Sequence, residues 1–203
     1  MHRSKPKQAS LTNISQALSV ALGVRDSHTL GHCERVVTLC RELAIHLDFS
    51  ERELGILAVA AQFHDIGKIG IPDNVLHKPS RFEPAEWECM KQHSVIGERI
   101  IRALACDHAD EIALSVRHHH EHFDGSGYPD ALSGTQIPIY SRMISLTDSY
   151  DAIAETRSYH KARKHNEIMD LLHSENGIKH DPDLLHAFNA VIEKSAMRTP
   201  DIG

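Results

Sequence analysis

Apolar residues recur at three- and four-residue intervals along most of this chain, and that period limits its fold more than any other feature. From about Ser27 to Leu47, the positions Leu30, Val36, Val37, Leu39, Cys40, Leu43, Ala44 and Leu47 line one helical face. Asp26 or Ser27 can cap its start. Ser50 followed by Glu53 is a capping-box signature for a helix through Leu57, Val59, Ala60 and Phe63, which Gly67 and Gly70 then break. Pro84 suits the first turn of a helix holding Trp87 and Met90. A break near Ser94 and Gly97 leads into a further helix, and Asp107 can cap one running to about His120. Helix resumes through Met143, Ile144, Leu146, Tyr150, Ile153 and Ala154, then from Asn166 to His173 and from Leu184 to Glu193. No alternating strand pattern exceeds a few residues, and no internal repeat is visible. The expectation is one all-α helical bundle. Residues 1–22 form a partly helical N-terminal extension, 23–196 the main domain, and 197–203 a loose tail.

Size and composition narrow the setting. The 203 residues suffice for one domain with a real core. No apolar run approaches the ~20 residues of a membrane span. The opening MHRSKPKQAS lacks the apolar stretch of a secretory signal. Cys33, Cys40, Cys89 and Cys106 include no CxxC pair, and four free thiols suit a reducing compartment. A cytoplasmic protein is expected. A net charge of −6 argues against broad binding to polynucleotide backbone. It leaves room for a small anionic ligand, because bound cations reverse the local field.

Histidine is the anomaly: 17 residues, against five phenylalanines, four tyrosines and one tryptophan. Most have ordinary surface or hydrogen-bonding roles, among them His46, His108, His165, His173 and His186. His28 and His32 lie four apart on one helix face, an arrangement equally natural for two surface residues. His64-Asp65 closes an apolar helix, where a carboxylate must be paired, hydrated or metal-bound. With Lys68 one turn on, it reads equally well as a helix C-terminus with basic groups on its dipole. His93, the adjacent His119 and His120, and Asp148 are further donors, and Asp151 lies one turn after Asp148. A histidine-rich stretch, residues 118–122, runs into the longest non-helical segment, from about His122 to Pro138. Loops of that length in compact domains are functional or disordered. The donors are imidazole and carboxylate without thiolate, a set that suits iron, manganese, nickel or zinc and disfavours a structural zinc site.

Taken together, His64-Asp65-Ile66-Gly67-Lys68, then His119-His120-Glu121, then Asp124-Gly125-Ser126-Gly127-Tyr128-Pro129 resemble the HD-GYP family, a branch of the HD metal-dependent phosphohydrolases. The resemblance runs from about Asp26 to Phe188. It implies a helical bundle of the HD superfamily with the glycine- and proline-rich loop near a centre of two or three divalent ions, iron foremost and manganese next. It implies hydrolysis of cyclic di-GMP to linear pGpG or GMP. Carried over by position, the ligands are His32, His64, Asp65, His93, His119, His120 and Asp148, with Asp65 bridging. Two metals would acidify a water and neutralise phosphate oxygens. Asp65 and Lys68 are the candidate catalytic residues, Lys68 touching the phosphate or the leaving oxygen. Tyr128 would stack on a base or seal the site, and Glu121 would orient an imidazole. His118, the extra histidine of the triplet, is left at the surface or beside the ligands. The family loop is also linked to docking of GGDEF-domain proteins, and a homodimer is a further expected partner.

Two departures from the family pattern bear on these implications. Three-metal members carry a carboxylate four residues before the first ligand histidine, where this chain has His28. A third ion would then be held by imidazole. Many relatives also read Arg-Pro-Tyr followed by a basic residue. Here Arg157 and Tyr159 are kept as substrate-binding candidates, Ser158 replaces the proline and His160 replaces the Lys or Arg. His160 is largely uncharged at neutral pH unless its site raises its pKa. That weakens one phosphate contact and opens the alternative of another cyclic dinucleotide, such as 3',3'-cyclic GMP-AMP. A non-catalytic module that senses cyclic di-GMP is the second rival, and a histidine-rich metal buffer the third.

Overall fold

The structure, a computed structural model, describes residues 11–26, 29–154 and 163–201. The elements are α1 (Leu11–Arg25), α2 (Thr29–His46), α3 (Glu51–Gln62), a 3-10 turn (Ile66–Gly70), α4 (Asp73–Leu76), α5 (Pro84–Ala103), α6 (Ala109–Arg117), a second 3-10 turn (Gly134–Gln136), α7 (Ile139–Ala154), α8 (His165–Ser174) and α9 (Pro182–Ile192). Among the described residues the only strand-like pairing is an isolated bridge between Asn176 and His180. The bundle is all-α.

Local chemistry sets the ends of these helices. Ser50 and Glu53 form the reciprocal box at α3, with the Ser50 amide donating to Glu53 Oε2 at 2.8 Å. Asp181 accepts from the amides of Asp183 and Leu184, and Pro182 follows at the first position of α9. The period of three to four then turns one face of each helix inward. Leu39, Leu43, Leu57, Phe63, Ile101, Met143, Ile144 and Phe188 are each 1% exposed or less. Burying one such side chain contributes about 1.5–3 kcal/mol. A smaller cluster of Ile71, Val75 and Met90 sits beneath the segment after the 3-10 turn. Arg25, at the end of α1, ties that segment down through Asp73 and the Ile71 carbonyl. His165 is buried rather than surface-exposed, held between the Tyr150 hydroxyl at 3.1 Å and Glu193 at 3.0 Å. Beyond Met197, the Thr199 amide donates to the Tyr150 hydroxyl.

Three sequence expectations are corrected. No break occurs at Ser94 or Gly97: α5 runs unbroken from Pro84 to Ala103. Gly97 is there for closeness, because a Cβ on it would lie 2.7 Å from Val116 Cγ1 of α6. Helix α6 stops at Arg117, so His118, His119 and His120 occupy turns rather than a last helical turn. Its N-cap is His108, in the left-handed region at φ 60, and not Asp107. The 3-10 turn meets α5 the same way that α6 does. A Cβ on Gly67 would lie 1.8 Å from the His93 carbonyl oxygen and 2.6 Å from the Gly97 amide.

That backbone-to-backbone contact gives a stability prediction. Gly67→Ala is expected to cost about 1–3 kcal/mol, as overpacking does, in urea unfolding followed by circular dichroism. Gly55→Ala, within α3 with nothing within 4 Å of its Cβ, is expected to stabilise by about 0.5–1 kcal/mol. Equal effects would mean that the tight contact is not rigid.

Candidate metal centre

Part of the site is assembled where helices end. α3 terminates at Gln62, and the chain turns through His64 and Asp65 into the 3-10 turn. His64 Nδ1 donates to the Ala61 carbonyl at 2.7 Å. His119 Nδ1 does the same to Val116 at 2.6 Å, just beyond α6. His93, within α5, donates from Nδ1 to Met90 at 2.8 Å. A carbonyl can only accept, so Nδ1 carries the proton in all three rings. Each Nε2 of the neutral ring is then a bare lone pair.

Those lone pairs face one another. His93 Nε2 and His119 Nε2 are 3.4 Å apart, and neither has a proton to share while Nδ1 holds it. Asp65 lies alongside, with Oδ1 3.5 Å from His93 Nε2 and Oδ2 3.5 Å from His64 Nε2. Asp148, from α7, puts Oδ1 3.0 Å from His32 Nε2 and 3.9 Å from His64 Nε2. Two donor groups result. His32, His64 and Asp148 form one, and His93, His119 and His120 the other, the donor atoms of each lying within 4.8 Å of one another. Asp65 turns one oxygen toward each group. Buried lone pairs pointed at each other repel unless a cation lies between them, so this donor set fits divalent metal.

The titration pattern follows from burial and charge. Burial drives the His119 pKa down to about 3 and lowers those of His93 and His120, which keeps these rings neutral at physiological pH. Burial opposes ionisation of Asp65, but Lys68 and the nearby His64 and His93 outweigh it and hold the carboxyl well below its usual range. Asp148 is depressed against burial in the same way, chiefly by its hydrogen bond to His32. Lys68 Nζ donates to Asp65 Oδ2 at 2.6 Å, and that anion raises its pKa despite burial. His32 differs from the other rings. Burial would lower it, yet hydrogen bonds to Asp148 and Asp151 push it up to about 10.

Asp151 had no role in the sequence reading, and the structure places it behind His32. Its Oδ2 lies 2.7 Å from His32 Nδ1, and Arg35 grips both of its oxygens at 2.6 and 2.9 Å. A carboxylate behind a ligand histidine fixes the ring and strengthens the free nitrogen. The signal was its place one turn after Asp148 on α7.

Two other expectations change. Glu121 orients no imidazole: its carboxylate, 2% exposed, accepts the backbone amides of Asp130 at 2.7 Å and Leu132 at 3.1 Å. It anchors the loop that follows. His118 is buried rather than at the surface, with Nε2 2.8 Å from Asp130 Oδ2, and Arg117 bonds the same carboxylate through Nε and Nη2. His118, Glu121 and Asp130 therefore make a clamp whose oxygens are already occupied by protein N–H groups. Residues 121–133 contain no helix, and Tyr128 folds back so that its ring stacks on His120 with centroids 4.9 Å apart. His28, Arg157, Tyr159 and His160 lie outside the described residues.

Residues 16–184 match the HD domain family, and the chain belongs to that family. It is 38% identical over 181 residues to the cyclic di-GMP phosphodiesterase of Thermotoga maritima, covering 88% of this chain and 48% of that protein. It is 35% identical over 171 residues to 3'3'-cGAMP-specific phosphodiesterase 2 of Vibrio cholerae, covering 83% of this chain and 32% of that protein. In fold it is similar to a cyclic GMP-AMP-specific phosphodiesterase of V. cholerae. The TM-score is 0.69 at 19% identity, over 92% of this chain and 50% of that one. The chain thus spans about half or less of the length of these relatives. Among the described residues, no helix is long and apolar enough to cross a membrane.

Two predictions follow from His32. Its raised pKa keeps it an imidazolium without metal, so a cation taking Nε2 must expel a proton. Calorimetric manganese titration at neutral pH, in buffers of different ionisation enthalpy, is expected to show close to one proton released from this ring; a buffer-independent heat would contradict it. Asp151→Asn, which removes the charge behind His32, is expected to weaken metal binding about 10- to 100-fold. An unchanged metal affinity would leave Asp151 a purely packing residue.

Proposed function

We propose that this chain is a metal-dependent cyclic-dinucleotide phosphodiesterase of the HD-GYP branch, hydrolysing cyclic di-GMP to linear pGpG or GMP. The opposed Nε2 lone pairs around Asp65 carry the reading, because only cations explain so many bare donors buried together. In this reading His32, His64 and Asp148 would hold one ion and His93, His119 and His120 a second, with Asp65 turning one oxygen toward each group. The donor chemistry suits iron, manganese, nickel or zinc, and the family resemblance puts iron first and manganese next. His28 is the candidate for a third ion.

Divalent ions held here would supply Lewis acidity, acidifying water and neutralising phosphate oxygens. The chain's own groups do the rest. Asp65, held ionised at neutral pH, stays an acceptor throughout. Lys68, whose pKa is raised, stays an ammonium and is a donor rather than a base. It can donate to a phosphate oxygen or to the 3′ oxygen as the P–O bond breaks. Tyr128, stacked on His120, closes the side of the site toward the loop. Arg157, Tyr159 and His160 are assigned to substrate binding from their place in the sequence.

A second substrate has specific support. Relatives of similar identity are named for cyclic di-GMP and for 3'3'-cGAMP, and Ser158 and His160 depart from the family pattern. Anaerobic product chromatography on iron- and manganese-loaded protein, given both cyclic dinucleotides, separates the readings. The expected result is linear dinucleotide or mononucleotide from cyclic di-GMP. No product from either compound would overturn the assignment. Asp65→Ala is expected to abolish turnover while far-ultraviolet circular dichroism keeps its helical signal. Lys68→Ala is expected to lower kcat about 100-fold or more with metal content unchanged.

A further inference from the structure

A line of aromatic rings leads away from the metal centre and ends in the open. Tyr128 stacks on His120. Trp87 meets Tyr128 edge to face with centroids 5.9 Å apart. Phe82 backs Trp87 in a near-parallel arrangement at 6.2 Å. The far end is not core: Trp87 is 43% exposed and packs in neither buried cluster. Next to it, Glu88, Lys91, Gln92, Tyr128 and Pro129 line a small hollow. Lys91 Nζ sits over the Tyr128 ring at 5.7 Å and pairs with Glu88 at 2.8 Å.

We propose that Trp87, backed by Phe82, is a stacking platform for a purine base of the substrate, a base-binding subsite continuous with the candidate metal centre. The proposal rests on the phosphodiesterase reading above. Its chemistry is that of a nucleotide rather than a protein segment. The indole lies two ring contacts from a metal-site imidazole, within reach of a base whose own phosphate sits on the ions. Indole and phenyl faces stack any base, which gives sequence-tolerant affinity. Gln92 and Glu88 at the edge of the hollow present an amide and a carboxylate, the groups that read a base edge.

Trp87 is the only tryptophan of the chain, so it reports on its own occupancy. Metal-loaded protein is mixed with cyclic di-GMP or cyclic GMP-AMP in a stopped-flow fluorimeter, and product is assayed from the same mixtures. The expected result is quenching of indole emission in the binding phase. Product formation with unchanged emission overturns the platform and leaves the reaction standing. Neither product nor quenching overturns both. Trp87→Ala is expected to raise KM roughly tenfold while kcat is largely kept, and Trp87→Phe to restore most of the loss. An unchanged KM in Trp87→Ala overturns the subsite.

Discussion

Each of His64, His93 and His119 gives its Nδ1 proton to the carbonyl three residues before it, and the site depends on that repeated bond. Two of those carbonyls, Ala61 and Val116, lie in the last turns of α3 and α6, where helix carbonyls have no partner within the helix. The imidazole thus completes the helix end and is oriented by it. The same bond fixes the tautomer, so Nε2 can only accept. For His64 and His119, the free Nε2 is therefore a by-product of how the helices stop. The contact of Gly67 with the His93 carbonyl then sets the distance between the two helix ends and α5.

Charge is balanced around that frame. Asp65 and Asp148 are anionic, and Lys68 and the imidazolium of His32 offset them. Two divalent ions would turn this pocket strongly positive inside a protein of net charge −6. A phosphodiester would meet a local attraction that the chain as a whole does not have.

Much of this was legible in the sequence. The period of three to four located nearly every helix, and the Ser50–Glu53 box sat where expected. The named donors His32, His64, Asp65, His93, His119, His120 and Asp148 do converge, although spacing alone left each of them ambiguous. What failed has a common cause. Gly97 and Ser94 look like breakers in one dimension, whereas in three dimensions Gly97 makes room for Val116. The end of α6 at Arg117 was missed because consecutive histidines carry no stop signal. Glu121 and Asp151 were misread or passed over because their partners, two loop amides and a distant arginine, lie far away in sequence or belong to the backbone.

Glu121 joins two things that the fold could have kept apart. Its buried carboxylate holds the loop amides of Asp130 and Leu132, and His119 and His120 are the residues just before it. The loop cannot slide without stranding the buried oxygens of Glu121, so it does not behave as an independent flap. A push on its outer edge is passed along a few bonds of stiff chain to the imidazoles. The loop is in this sense a handle on the donors beside it.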